Sequence, residues 1–548
     1  MKLLGPTLFL LTLATSAQDS GLPKALPSGG TLRSEQACFD VQHVRLELDV
    51  NPLTKRIAGA MTLTAKSVFR SDVIELDLDF PLEVESVELD GEPIEHERRP
   101  ASLVVPLPKD VVPGDTFGLR VAYAGVPREA IRAPWDGGFT WGTTPDGQPW
   151  ITTTCQGEGG DLWWPCKDHP SDKPDSFELA IRVPKGLVCA SNGVLVKTED
   201  TASHSTFHWR VVNPISNYNI ALNIGPFEVS RDTYRSIGGE ELPIEFYHLP
   251  RSGEQARALL PEVKDHLAFF ERFFGPYPFR NEKYGIVETP HLGMEHQTII
   301  AYGYGFKRDR NFDYDWLHHH ELSHEWWGNL VTCRDWKDMW IHEGFGTYAQ
   351  ALYVETKHGA EGYQKQIREH MRSAANHNPI APRNATNSKD IYFGKSGKSS
   401  NDIYYKGSAV IHSLRFVVGD EPFFQSLLEF CYPTEERRAA TDGSQVRFVD
   451  TDEYIGLIER LSDRDLDWFF DVYAREASLP KLEVRQSDER VELRWEASGP
   501  FPMPVPLRVD GRDVRVECPK GRGSLRVPKG AMVELDPDSW VFRDPSGD

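Results

Sequence analysis

The sequence predicts a multidomain α+β protein in which a β-rich first part gives way to a mainly helical middle and then to a small β-rich end. Three observations carry that prediction. Up to about residue 230, apolar and polar residues alternate as half-buried strands require. From about residue 252 the apolar positions recur at helical spacing, and after Leu479-Pro480 the alternation returns.

Taken in order, the chain opens with Met1-Lys2, a mostly apolar run from Leu3 to Ala14, and the small residues Thr15-Ser16-Ala17 before polar Gln18-Asp19-Ser20. A charged start, a short apolar centre and a small-residue cut site read as a signal peptide over residues 1–17, so the mature protein is expected to be secreted or periplasmic. No later segment is long and apolar enough for a membrane span. After a lead rich in Gly, Pro and Ser, a β-domain is expected over residues 34–235. Val44–Val50, Met61–Ala65, Leu76–Phe80, Leu119–Tyr123 and Phe177–Ile181 alternate there between Gly, Pro and Asp punctuation, and a saddle-like sheet is the expected form.

A helical domain is expected over residues 236–479. Ala256, Leu259, Leu260, Val263, Leu267, Phe270, Phe273 and Phe274 make one helical face that ends at Gly275, and further helices are expected around Ala409–Val418, Phe423–Phe430 and Leu466–Tyr473. Gly394 to Asn401 reads as a loop near Tyr404. A β-sandwich over residues 480–548 follows, from alternation in Leu482–Val484, Val491–Trp495, Val505–Val509 and Val514–Val516.

Composition narrows the function classes. A chain of 548 residues with 39% hydrophobic content can bury several cores, and its net charge of -21 excludes a general nucleic-acid binder. The seven cysteines are odd in number and widely spread, which excludes a disulfide scaffold. An oxidising destination permits one or two bridges, with Cys155 and Cys166 the nearest pair in sequence.

The chemistry concentrates at His320-Glu321-Leu322-Ser323-His324, whose histidines project from nearly the same side of a helix. Two neutral imidazoles bind Zn²⁺, and a catalytic zinc takes a third protein ligand while leaving a position open. Glu343, after eighteen intervening residues, is the candidate. It sits in a helix-like segment running from Trp340 through Tyr348, Leu352 and Tyr353 to a stop expected at Gly359. His318 and His319 lack this pattern and are expected on a solvated helix face.

With further motifs the chain resembles the zinc aminopeptidases of the aminopeptidase-N and leukotriene-hydrolase family, of the secreted bacterial type. Trp326 to Asn329 matches its Trp-x-Gly-Asn follow-on, Leu292-Gly293-Met294-Glu295-His296 is similar to its G-x-M-E-N loop, and Tyr404-Tyr405-Lys406-Gly407 is similar to its Y-x-K-G element. Gln156, nine residues before Pro165-Cys166-Lys167-Asp168, stands where such enzymes place a substrate-binding glutamine. The resemblance implies a β-saddle domain, a thermolysin-like catalytic domain and a β-sandwich, with one Zn²⁺ per chain on His320, His324 and Glu343. It implies Glu321 as general base and Tyr404 as stabiliser of the oxyanion, with Tyr405 the rival. Glu295 and Gln156 would anchor the free amine of a peptide substrate, with Gly293 and Met294 also in the binding loop.

Three positions depart from the family pattern: Leu292 and His296 at the ends of the loop, and Gln350 where a Glu commonly supports the metal site. The chain stops soon after the sandwich, so the family's helical capping domain is not expected and a more open site is. The competing readings are a zinc endopeptidase, which needs no amine anchor, and a non-catalytic zinc-stabilised peptide-binding protein, which retention of Glu321, Glu295 and Tyr404 disfavours. An epoxide hydrolase has little support without the capping domain.

Overall fold

The computed structural model describes residues 24–109, 111–394 and 397–545, so the expected signal peptide and part of the 394–401 loop lie outside the described residues. Phe39–Asn51 is the centre of an eight-stranded sheet, pairing antiparallel with Arg56–Ser67 and parallel with Ser176–Pro184. Register explains the alternation. Leu46 faces Leu179 on one side and Met61 on the other, and Met61 in turn faces Val121, so one continuous row of buried apolar side chains crosses four strands. A four-stranded sheet follows, in which Pro149–Thr154 pairs with Gly138–Thr143 and Asn223–Gly225. Its end delivers the chain to Gln156.

The third sheet has the order Glu228–Arg235, Glu241–His248, Tyr284–Glu288, Ile300–Tyr302, Gly293–Met294. Glu228–Arg235, assigned from sequence to the first domain, thus pairs over its whole length with a strand of the second. Helix α1 (Gly253–Phe274) buries Ala256, Leu259, Leu260, Val263, Leu267, Phe270 and Phe274 and ends at Gly275, whose φ of 90° no β-carbon-bearing residue adopts readily. Helix α2 (Trp316–Ser323) carries the first histidine, α3 (Trp340–Ser373) carries Glu343, α4 is Ser388–Phe393, and α5 (Tyr405–Val418) follows Tyr404.

The expected stop falls at Gly359, whose φ 68° and ψ -168° are non-helical and divide α3 into two helical segments at a kink; the second runs on to Ser373 and buries Tyr363, Ile367 and His370. The C-terminal strands form two three-stranded sheets whose inner residues include Leu482, Leu493, Trp495, Val505 and Leu507. Beyond them Trp540 stacks on His412 of α5 with centroids 4.7 Å apart, tying the chain's end to that helix. All seven cysteines are free and buried, so the permitted Cys155–Cys166 bridge is not formed. No helix among the described residues is long and apolar enough to cross a membrane.

Candidate metal centre

Asp315 begins the site by capping α2, its carboxylate accepting the His318 amide at 3.0 Å. Eight residues of helix suffice to present His320, and His324 follows while the backbone is still in the right-handed α region. One donor atom from each of His320, His324 and Glu343 lies within 4.8 Å of the others. Glu343 Oε2 is 3.6 Å from His320 Nε2 and 3.5 Å from His324 Nε2. The His324 Nδ1–H donates to the Trp327 carbonyl at 2.9 Å, which leaves the Nε2 lone pair facing the cluster.

These residues fit a metal ion on a specific observation. Glu343 Oε2 is fully buried and has no hydrogen-bond partner among the described residues, a costly state for a carboxylate unless a cation completes it. Burial alone would raise this carboxyl, but the facing His324 and His320 hold it down at about 2. A three-donor N,N,O set suits Zn²⁺ and leaves a position free.

The Trp-x-Gly-Asn follow-on has a mechanical use. Trp326 stacks on Phe270 of α1 at 5.3 Å, and Trp327 stacks on Phe345 at 4.3 Å, two residues past Glu343, so the pair clamps the metal-bearing elements together. Asn329 donates to the Glu295 carbonyl at 3.1 Å and accepts from Asn219 at 2.7 Å. It therefore ties the metal segment to the loop that carries Glu295.

Glu321 sits against that same loop. A β-carbon on Gly293 would lie 2.3 Å from Glu321 Oε1, so glycine is what lets the loop approach the carboxyl. Burial, then the charges of Glu295 and Glu343, push the Glu321 carboxyl well up. Met294 is buried beside it. Glu295 Oε1 accepts from Gln156 Nε2 at 2.5 Å and from the Tyr218 hydroxyl at 3.2 Å, and Gln156 Nε2 also reaches Glu343 Oε1 at 3.4 Å. Burial raises the Glu295 carboxyl, His324 opposes that, and Glu343 adds to it.

Tyr404 faces the same space, its ring 6.2 Å from that of His320. Its hydroxyl is 3.1 Å from that of Tyr392, which donates to Gln156 Oε1 at 3.4 Å. Burial and then Glu343 push the Tyr404 phenol well above its ordinary value, so it keeps its proton. Tyr405 instead packs against His370, with ring centroids 5.5 Å apart. The rest of the Y-x-K-G element is structural: Lys406 donates to the carbonyls of Glu476 and Ala477, and Gly407 meets Gly344 of α3 where any β-carbon would be 3.0 Å from backbone.

Of the nine residues read from sequence, His320, His324, Glu343, Glu321, Gly293, Glu295, Gln156 and Tyr404 are brought together by these contacts, and Met294 is buried between Gly293 and Glu295 in the chain. Sequence reasoning misses Tyr218 and Tyr392, because neither the short 3-10 turn Asn217–Asn219 nor the short helix α4 carries a motif to mark it. His318 and His319 correct the solvated-face expectation. Both are fully buried, His318 between His266 Nδ1 at 2.8 Å and the Tyr284 hydroxyl at 3.0 Å, and His319 among Phe270, Phe269 and Tyr353, because α2 is enclosed on that side by α1. Of the departing positions, Gln350 donates to the Trp316 carbonyl at the start of α2. His296 is wholly buried and pushed down to about 3, by burial first and His291 second.

A β-sheet unit, a helical unit with this His-His-Glu set and a small sandwich define the class of zinc metallopeptidases. Comparison with known proteins makes the assignment specific: residues 263–471 match the Peptidase family M1 domain and residues 40–219 the Peptidase M1 N-terminal domain. The chain belongs to the M1 peptidase family. Aminopeptidase B of Mus musculus is 24% identical over 436 residues, covering 71% of this chain and 62% of that protein. Aminopeptidase M1-D of Oryza sativa subsp. japonica is 23% identical over 371 residues, 64% of this chain and 41% of that one. The chain thus spans less than two thirds of these relatives. A mutant M1 zinc metallopeptidase from Deinococcus radiodurans, solved with a Tyr-Ser-Ala substrate, superposes with a TM-score of 0.66 at 25% identity, covering 81% of this chain and 95% of that one.

Proposed function

We propose that this protein is a zinc aminopeptidase that removes the N-terminal residue of peptides. The observation that carries the reading is the buried Glu295 carboxyl, linked through Gln156 Nε2 to the metal-binding Glu343. A substrate ammonium bound there pairs with Glu295 and donates to the Gln156 and Tyr218 oxygens, which sets the scissile carbonyl one residue away, beside the metal-binding residues. An endopeptidase has no use for such a carboxylate.

Zn²⁺, held by His320, His324 and Glu343, would supply Lewis acidity to the attacking water and the scissile carbonyl. Glu321 takes the water's proton during attack and passes it to the departing amine. Tyr404, still protonated, donates to the developing oxyanion. Tyr392 and Gln156 hold the tyrosine and the amine site in one hydrogen-bonded wall.

The test is hydrolysis of amino-acid anilides with free and acetylated amines, before and after chelation and zinc restoration. Cleavage of the free-amine forms alone, lost and regained with metal, is the expected result; cleavage of both would turn the reading to an endopeptidase. Glu295→Ala is expected to cost about 10²-fold in kcat/KM on free-amine substrates, the scale of a lost buried charge pair and its positioning. Export after cleavage near Ala17 belongs to the same proposal, and N-terminal sequencing of the protein recovered outside the cytoplasm tests it.

A further inference from the structure

The stretch before the first domain reads as a mere lead, yet Ser28 in it is 1% exposed. Its contacts converge on one side of the site. The Ser28 amide donates to the Gly157 carbonyl, next to Gln156, at 3.3 Å, and its hydroxyl donates to Asp168 Oδ1 at 3.2 Å. The same hydroxyl accepts Trp336 Nε1–H at 3.1 Å, and the Ser28 carbonyl accepts the Ser388 amide at 2.9 Å, at the start of α4. Gly29 bridges Asn387 and lies so close to Trp336 that a β-carbon would stand 2.4 Å from its ring. Gly30 is held by the His169 ring at 3.0 Å.

Three of the segments so joined bear on the amine-side wall. The Gly157 loop presents Gln156. Helix α4 presents Tyr392, and its Ser388 hydroxyl also donates to the Gly157 carbonyl. Trp336 packs edge-on against Tyr218 at 5.7 Å, and Tyr218 donates to Glu295. These contacts reach Gln156, Tyr218 and Tyr392, whereas Glu321 is carried by α2 and Glu343 by α3.

We infer that Ser28–Gly30 is a strap that sets the spacing of the amine-anchoring wall, with Ser28 its positioning residue. The inference rests on the aminopeptidase reading above. The Ser28 hydroxyl acts through Trp336 on Tyr218 and Glu295, so it governs how tightly a free amine is held and leaves the proton transfers of Glu321 alone.

The experiment compares wild type with Ser28→Ala and Ser28→Thr, the second keeping the hydroxyl, at equal zinc content and with unfolding midpoints recorded. For Ser28→Ala, KM on free-amine anilides is expected to rise about three- to tenfold, the scale of one or two lost hydrogen bonds, with kcat little changed. Inhibition by an α-amino hydroxamate should weaken by the same factor while acetohydroxamate, which lacks the amine, is unaffected. Ser28→Thr should restore both. An unchanged KM, or equal weakening of both hydroxamates, overturns the strap. Should Ser28→Ala not fold, Ser388→Ala removes only the second donor to Gly157 and is expected to raise KM likewise; an unchanged KM there is equally fatal. Wild type that cleaves acetylated substrates as well as free ones overturns the aminopeptidase reading instead.

Discussion

Gly293 is the residue on which the position of Glu321 most directly depends. Its missing side chain leaves Glu321 Oε1 the space it occupies, since a β-carbon there would be 2.3 Å away, with Leu317 Cδ1 crowding at 2.8 Å. Adding one carbon must push the carboxyl or the loop aside. Gly293→Ala is expected to lower kcat about 10²-fold through that displacement while zinc content stays at one per chain, which steady-state kinetics and metal analysis together will read. A variant of near wild-type kcat would mean that the loop yields and the carboxyl does not. The same scale explains why Tyr404, and not Tyr405, belongs to the site: its ring lies beside His320, whereas Tyr405 packs on His370.

Among elements, the crossing of α3 and α5 decides where Tyr404 stands. Gly344, directly after the third ligand, meets Gly407, three residues after Tyr404, and each would bring a β-carbon to about 3 Å of the other's backbone. Neither backbone can rotate away as a side chain could. Gly407→Ala is therefore expected to destabilise the protein by about 1–3 kcal/mol and to lower kcat with zinc retained, because the helices must part and carry Tyr404 from the metal. Gly456, in the helix Thr451–Ser462 with nothing within 4 Å of its virtual β-carbon, is the control: Gly456→Ala should be neutral or stabilising by up to about 1 kcal/mol. Equal denaturant midpoints for the two variants would refute the crossing argument.

For the whole molecule, metal and fold are linked. The ligands come from α2, its immediate continuation and α3, so an ion bound to them favours only the folded arrangement. Removing it should lower the unfolding midpoint, and restoring zinc at a hundredfold excess over its Kd should return about 2.7 kcal/mol. A midpoint indifferent to chelation would show that the metal site forms no part of the fold's stability. The junction of the β-domain with the metal unit adds a pH dependence. Lys173, wholly buried and bonded to the Asn329 carbonyl at 2.7 Å, is pushed down to about 7 by burial. Between that value and its ordinary one near 10.4 the unfolded chain holds the extra proton, so folding stability rises with pH through this window and falls as pH drops towards 7. From pH 7 to 9 the wild type should gain on the order of 2 kcal/mol relative to Lys173→Met, read from denaturant midpoints at each pH. A constant difference would place the charged amine in water.

The metal set and the strand, helix, strand order were legible in the sequence because they rest on local periodicity and fixed spacing. His320, His324 and Glu343 lie within one short stretch, and the alternation around Leu46 and Met61 is the direct imprint of a sheet buried on one face. Tertiary structure alone decided the rest. His318 and His319 have the same residue type as the ligands but turn into the space closed by α1, a matter of how two distant helices pack. Gly359 breaks the helix as its residue type predicts, but that a second helical segment follows directly and buries Tyr363, Ile367 and His370 is a matter of packing. Tyr218, Tyr392 and Ser28 reach the site from stretches separated by tens to hundreds of residues, joined only by hydrogen bonds that close once the three units are assembled. A chain records in its own order what neighbouring residues must do, and only folding determines which distant residues complete them.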